Sequence, residues 1–397
     1  MNHKSKYQIV IVEAGTAGIS VAARLFQDYP NREWDIAIID PSDKHYYQPL
    51  WTLIGAGIFE KEESERNQQD IIPPKATWIK KAVKSFEPTD NKITLDDESA
   101  LTYEYLIVAA GIQINWGAIK GLKESIGKNG VCSNYSYEHV SKTWEYLKGL
   151  KSGKAIFTQP AMPIKCAGAP QKIVYLAEDY LKKNGLKDQV EIDFCLAGPR
   201  IFGVEKYRNA LEKVLDRKEL KPSYEHNLIE IDGDKKIAIF DNNGNKVEKE
   251  YDMIHVVPPM SSPDFIAQSE LANESGWVDV DKYSTQHKKF TNVFSLGDCS
   301  SLPTSRTGAA IRKQAPVTVK NLVSLIDGKE LIVRYDGYAS CPLVTGYGTC
   351  ILAEFDYDGN PMESFPFDQA KERYSMYMLK AYALPKLYWH GMLKGKA

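Results

Sequence analysis

An α/β fold made of two parallel-sheet units is what this chain predicts, and three observations carry it. "YQIVIVE" (Tyr7 to Glu13), a Gly-bearing turn, "ISVAARLFQDY" and "WDIAIID" read in order as strand, helix and strand. "EIDFCLAGPRIFGVEKYRNALEKVL" repeats strand, turn and helix in the middle of the chain. "FTNVFSLGDCSSLPTSRTGAAIRKQA" (Phe290 to Ala315) adds a late strand and helix that belong with the first unit. The expected division is 1–115 with 285–330, then 116–284, then a C-terminal region 331–397.

The first strand is apolar and β-branched, as a strand covered on both faces should be. The turn after it almost spells Gly-x-Gly-x-x-Gly: Gly15 and Gly18 hold the second and third glycine places, and Glu13 holds the first. Asp40 closes the second strand. Strand, turn, helix, strand and terminal acid together read as a dinucleotide-binding unit. Gly15 lets the backbone approach a pyrophosphate, and Gly18 lets the helix pack close to the strand. The helix N-terminus offers N–H donors and partial positive charge, and Asp40 accepts ribose hydroxyls. Glu13 departs from the pattern. The first glycine takes a tight-turn conformation that side chains resist, so Glu13 costs about 1 kcal/mol in the backbone. It also brings negative charge toward a diphosphate.

"EYLIVAAGIQ" (Glu104 to Gln113) is a further strand, ending in a small-residue turn at Gly111. The late strand ends at Gly297-Asp298 and leads into a helix. The fold is therefore read as two Rossmann-like dinucleotide-binding-type domains, tandem and interleaved. The middle turn, Ala197-Gly198-Pro199-Arg200 and then Gly203, is not Gly-x-Gly-x-x-Gly, and no acid closes a following strand. The second domain thus carries no nicotinamide motif.

The 397 residues suffice for two cores. A hydrophobic content of 43% and a net charge of −2 describe a folded chain and exclude a general nucleic-acid binder. No apolar run reaches the roughly 18 residues of a membrane-spanning helix, and "MNHKSKYQIVIV" reads as a strand with no secretory signal before it. The six cysteines are scattered, without CxxC or zinc spacing, so no metal is expected and any disulfide would be catalytic. Cys166 in "MPIKCAGAPQKI" and Cys341 in "DGYASCPLVTGYG" stand in Gly/Pro-rich loops, where function concentrates. Lys165 is expected to lower the Cys166 thiol pKa. Cys132, Cys195, Cys299 and Cys350 read as structural.

In "KERYSMYMLKAYALPKLYWHGMLKGKA", Tyr374, Tyr377, Met378, Ala381 and Leu384 recur at helical spacing. Pro385 is expected to end that helix, and Leu387, Tyr388, Trp389, Met392 and Leu393 continue the apolar character. Lysines flank the segment, so it reads as a C-terminal membrane-docking helical segment lying in the membrane surface.

With "HYYQPLWTLIGAG", "KCAGAPQK", "GWVDVDK", "GDCSSLPTSRT", "YDGYASCPLVTGYG", "ILAEFDYDGNPMESFPFDQAKER" and "LPKLYWHGMLKG", the chain resembles the sulfide:quinone oxidoreductases from about Tyr7 to Gly395. These are FAD-dependent flavoproteins of the disulfide-reductase superfamily, and the likeness is to the two-cysteine branch that includes the mitochondrial enzyme. The resemblance implies FAD held by Gly15, Thr16, Ala17, Gly18, Asp40, Gln48, Val83, Gly111, Asp298 and Gly308. It implies Cys166 and Cys341 as the redox pair. Hydrosulfide attacks the oxidised pair and leaves a persulfide on Cys341, and the Cys166 thiolate passes electrons to the flavin. A quinone (ubiquinone or menaquinone) then reoxidises the flavin, and a small sulfur acceptor or a growing polysulfide takes the sulfane sulfur. Tyr347 and Phe355 are candidates for the quinone pocket. The implied location is peripheral, on the cytoplasmic side of the inner membrane, or the matrix side if mitochondrial. A homo-oligomer is compatible with all of this. Two alternatives stand beside it. One is a type II NADH:quinone oxidoreductase-like flavoprotein, disfavoured by the missing nicotinamide motif and by the cysteine pair. The other is a non-catalytic homologue that has lost FAD through Glu13.

Overall fold

The protein, seen in a computed structural model, is described over residues 4–397. Strand Lys6–Val12 lies inside a seven-stranded sheet because its apolar side chains are covered on both faces. It pairs in parallel with Ile36–Ile39 on one side and with Ala100–Val108 on the other. The late strand Val293–Ser295 joins the same sheet, parallel to Ala100–Val108, with Val293 opposite Leu106. Strands Val83–Glu87 and Lys92–Leu95 extend it antiparallel. The register sets Val12 opposite both Ile39 and Val108, and Ser295 opposite Val108. The turns after these four strands therefore open along one carboxyl edge, the edge where open α/β sheets place ligands.

Two helices start at that edge and pack on each other: Thr16–Asp28 and Gly308–Ile326. The second is capped by the Thr307 side chain, which accepts from Ala310 N at 3.2 Å. A second sheet, of four parallel strands, is built from Val131–Cys132, Met253–His255, Gly153–Gln159 and Val190–Leu196. Helix Ala169–Lys183 packs on it and also on the hairpin of strands Ala339–Gly346 and Thr349–Phe355.

The C-terminal segment runs as helix Tyr374–Met378, a wide π turn Leu379–Ala383 and helix Leu384–His390. Pro385 does not end the helical run. It stands in the first turn of the last helix, directly after the π turn, whose wide spacing (Leu384 N–H on Leu379 O) accommodates a residue without an N–H. The segment's apolar residues are divided between two faces. Tyr377, Ala381, Tyr388, Trp389, Met392 and Leu393 are buried against the body, while Tyr374, Met378, Tyr382 and Leu387 are exposed. Among the described residues, no helix is long and apolar enough to cross a membrane.

Candidate active site

A cavity of about 700 Å³ lies at the carboxyl edge of the first sheet. It collects the turn residues Glu13, Gly15, Thr16 and Ala17, then Asp40, Gln48 and Gly111, and from the late unit Asp298 and Gly308. Cys166 opens onto the same space. Gly18 and Val83 do not line it. Gly18 sits beneath the turn, where a Cβ would overlap the Glu13 carbonyl oxygen, so its job is close helix–strand packing. Val83 belongs to strand Val83–Glu87 and is buried in the core on the sheet's other side. Tyr347 and Phe355 also stay out of the cavity. The Tyr347 hydroxyl donates to Ala56 O at 2.7 Å, and Phe355 packs edge-on against Phe202.

The cavity fits an extended dinucleotide. A Cβ at Gly15, Gly111 or Gly308 would meet nothing within 4 Å, so three backbone segments face open space. Two helix N-termini begin at its wall. The buried Asn134 amide also lines it, and neither its Oδ1 nor its Nδ2 has a partner in the protein. Asp40 accepts from Ala14 N and from Ser42 N, both at 2.7 Å. One residue fits less simply. Glu13 has φ of 74°, the left-handed turn that the first glycine of the pattern normally takes. Its carboxyl stands beside Asp40, whose Oδ2 takes the next N–H of the chain, and burial together with the Asp40 charge raises its pKa to about 8.

At the other end of the cavity, loop 160–168 presents Cys166 with φ of 49° and its N–H bonded to Arg306 O at 2.9 Å. Cys341, on strand Ala339–Gly346, stands next to Cys166. Gly168 makes room for this contact, because a Cβ there would lie 2.5 Å from Cys341 Sγ. All six cysteines are free thiols; Cys132, Cys195, Cys299 and Cys350 are buried, and Cys350 lies near enough to Cys341 and Lys172 to act on their charges.

The lysine beside Cys166 is not the one its spacing suggests. Lys165 turns away to donate to Gln48 Oε1 at 2.6 Å and lies over the Trp51 and Tyr135 rings. Lys172, in the first turn of helix Ala169–Lys183, places its Nζ 3.5 Å from Cys166 Sγ. Lys380 approaches from the C-terminal π turn, buried, with its ammonium on Pro49 O at 2.7 Å. The Cys341 thiol beside it, then the Lys172 and Lys380 charges, hold the Cys166 thiol well below its usual range despite its burial. Its closeness to Cys166 and its burial push Cys341 up. Burial lowers Lys380 to about 8.

Sequence reasoning did not find the far wall. Leu379, Lys380, Leu384, Leu387, Tyr388 and Met392 of the C-terminal segment close the cavity. The Tyr388 hydroxyl lies 2.9 Å from Thr16 Oγ1 and 2.5 Å from His45 Nε2, and His45 Nδ1 is 3.1 Å from Ala14 O. The segment read as a membrane anchor is thus tied to the dinucleotide turn itself.

Residues 7–144 match the family model of the pyridine nucleotide-disulphide oxidoreductases. The chain is 50% identical over 396 residues to the mitochondrial sulfide:quinone oxidoreductase of Dictyostelium discoideum, covering 99% of this chain and 87% of that protein. It is 45% identical over 395 residues to the mitochondrial sulfide:quinone oxidoreductase of Mus musculus, with the same coverage of 99% and 87%. Its fold is similar to the crystal structure of the sulfide:quinone oxidoreductase from Aquifex aeolicus, with a TM-score of 0.82 at 19% identity over 98% of this chain and 92% of that one. That last likeness speaks to the fold alone. Near-complete coverage at half identity settles the kinship: the chain belongs to the sulfide:quinone oxidoreductase family of flavoprotein oxidoreductases.

Proposed function

We propose that this chain oxidises hydrogen sulfide at Cys166 and Cys341 and passes two electrons through bound FAD to a membrane quinone. One observation carries the reading: a thiol next to a second cysteine and 3.5 Å from a buried ammonium opens onto the cavity that the dinucleotide turn lines. Gly15, Thr16, Ala17, Asp40, Gln48, Gly111, Asp298 and Gly308 would hold the FAD. The flavin supplies a two-electron carrier between the thiols and the quinone.

The residues account for the sulfur chemistry. When the pair is oxidised, hydrosulfide attacks Cys341 Sγ, and the Cys166–Cys341 bond breaks. The bond's electron pair leaves on Cys166, and Lys172 stabilises the thiolate so formed. Cys341 keeps the sulfane sulfur as a persulfide until a small nucleophile removes it. Closing the Cys166–Cys341 bond again gives up two electrons and the thiol protons, and a bound flavin would carry the electrons on to quinone. Lys380 and Lys172 put two positive charges beside the anionic substrate's path. The exposed Tyr374, Met378, Tyr382 and Leu387, on the segment that closes the cavity, form the surface that meets the bilayer. A peripheral site on an inner membrane, cytoplasmic or matrix side, follows from that reading.

The test is sulfide-driven reduction of a short-chain quinone by the full-length protein. Cys166→Ser is expected to abolish it while the flavin stays bound. Unimpaired turnover by that variant would remove Cys166 from the mechanism, and reduction driven by NADH in place of sulfide would overturn the substrate.

A further inference from the structure

We propose that Glu13 and Asp40 work as one acid pair that must hold a single proton for the dinucleotide to bind, so that cofactor affinity in this protein is linked to protonation of Glu13. The inference rests on the reading that FAD occupies the cavity.

The position of Glu13 is fixed by its surroundings. It follows strand Lys6–Val12, with its N–H on Ile39 O at 2.8 Å and the next N–H, of Ala14, on Asp40 Oδ2 at 2.7 Å. Helix Thr16–Asp28 presses on its carbonyl at Gly18, with no space for a side chain between them. The turn therefore keeps its left-handed form, φ 74°, although it carries a side chain. That side chain lines the cavity at the place where the dinucleotide turn should be bare.

Two carboxyl groups hydrogen-bond each other only when one carries a proton. The neighbouring charges offer no other relief. His45, on the strand packed under the turn, is buried and its pKa is pushed down to about 4, so it is neutral. Gln68, from helix Gln68–Ile71, is uncharged and donates to Ala14 O at 2.9 Å. Lys44 lines the cavity but pairs with Glu65. Arg306 bonds Asp298 O at 2.9 Å and stacks on Trp277, and Arg312 of helix Gly308–Ile326 lies over Tyr338. The strand end at Ala109 to Gly111 and the turn at Thr16 bring no charge. Asp40 is the charge that acts on Glu13.

With the proton in place, Glu13 donates to Asp40, and the pair carries the single negative charge of an ordinary one-acid cradle. Without it, two carboxylates face a ligand that is itself a dianion. Burial and Asp40 put the change near pH 8. Affinity should be full below that pH and fall by up to about tenfold per pH unit above it, the slope of one linked proton.

The experiment is a titration of the full chain with FAD, read by flavin fluorescence, from pH 6 to 9.5, with Glu13→Gln and Glu13→Gly alongside. Glu13→Gln keeps the shape and removes the ionisation, so it subtracts the pH response of every other group, including Lys380. The proposal expects the native chain to weaken above about pH 8 by about tenfold per unit relative to Glu13→Gln, with Glu13→Gly tight throughout. A native chain that binds FAD in parallel with Glu13→Gln at every pH overturns the linkage. So does a native chain that binds at no pH while Glu13→Gly binds, since the pair would then exclude the ligand outright. If neither the native chain nor Glu13→Gly binds, the FAD reading itself fails.

Discussion

Lys172 stands in the first turn of its helix, where a cation opposes the helix dipole. Such a placement is stable when an anion lies close by, and Cys166 Sγ, 3.5 Å away, fills that role. Replacing Lys172 with Met should raise the Cys166 pKa by about 1 to 3 units, read from the pH dependence of iodoacetamide alkylation. An unshifted alkylation curve would show that the lysine does not set the thiolate. Gly168→Ala should push Cys341 off Cys166, since the new methyl would lie 2.5 Å from both Cys341 Sγ and Leu343 Cδ2. The expected result is a loss of about 1 to 3 kcal/mol in unfolding experiments together with a raised Cys166 pKa. Full stability with unchanged alkylation would remove the close contact. The dinucleotide turn was legible residue by residue, because Gly15, Gly18 and Asp40 have fixed offsets within one strand–helix–strand unit. Lys172 was not. Its neighbourhood to Cys166 depends on where the helix begins after the loop, and adjacency in the chain pointed to Lys165 instead.

The C-terminal segment does two jobs with two faces. Its buried face carries Tyr388, whose hydroxyl joins Thr16 of the dinucleotide turn to His45. Tyr388→Phe would leave the buried His45 Nε2 without that partner and should cost about 1 to 3 kcal/mol, seen as a lower Tm. An unchanged Tm would mean the contact is not holding the wall. The outer face exposes Tyr374 by 66% and Tyr382 by 46%, so polar substitution there should leave folding intact. Serine at Tyr374, Met378 and Tyr382 together should sharply reduce sedimentation with anionic vesicles at unchanged Tm. Retained vesicle binding would assign docking to another surface. The helical spacing of this segment was visible in the sequence, and so was its apolar character. Which residues face inward was not, because the π turn Leu379–Ala383 shifts the phase of the periodicity, and Pro385 looked like a stop when it is a start.

Across the molecule, the parallel strands were the most readable parts. Lys6–Val12, Ile36–Ile39 and Val190–Leu196 are largely apolar runs closed by turn residues; the second lies within its expected stretch, and the first and third each begin one residue before theirs. The antiparallel strands Val83–Glu87 and Lys92–Leu95 were passed over, since their half-exposed alternation is weak, and with them went the reason Val83 lies outside the cavity. The meeting of Cys166 with Cys341 joins a loop to a distant hairpin, so local spacing held no record of it, and only the likeness to a family suggested it. The fold brings three remote pieces to one cavity: the dinucleotide turn, the cysteine loop and the C-terminal wall. The central claim is that sulfide delivers electrons to a flavin in that cavity. The most direct measurement is the visible absorption spectrum of the FAD-loaded protein at pH 7, before and after anaerobic sulfide. The account predicts a flavin spectrum that bleaches with sulfide and recovers on adding a quinone. A bound flavin whose spectrum sulfide leaves unchanged would contradict it.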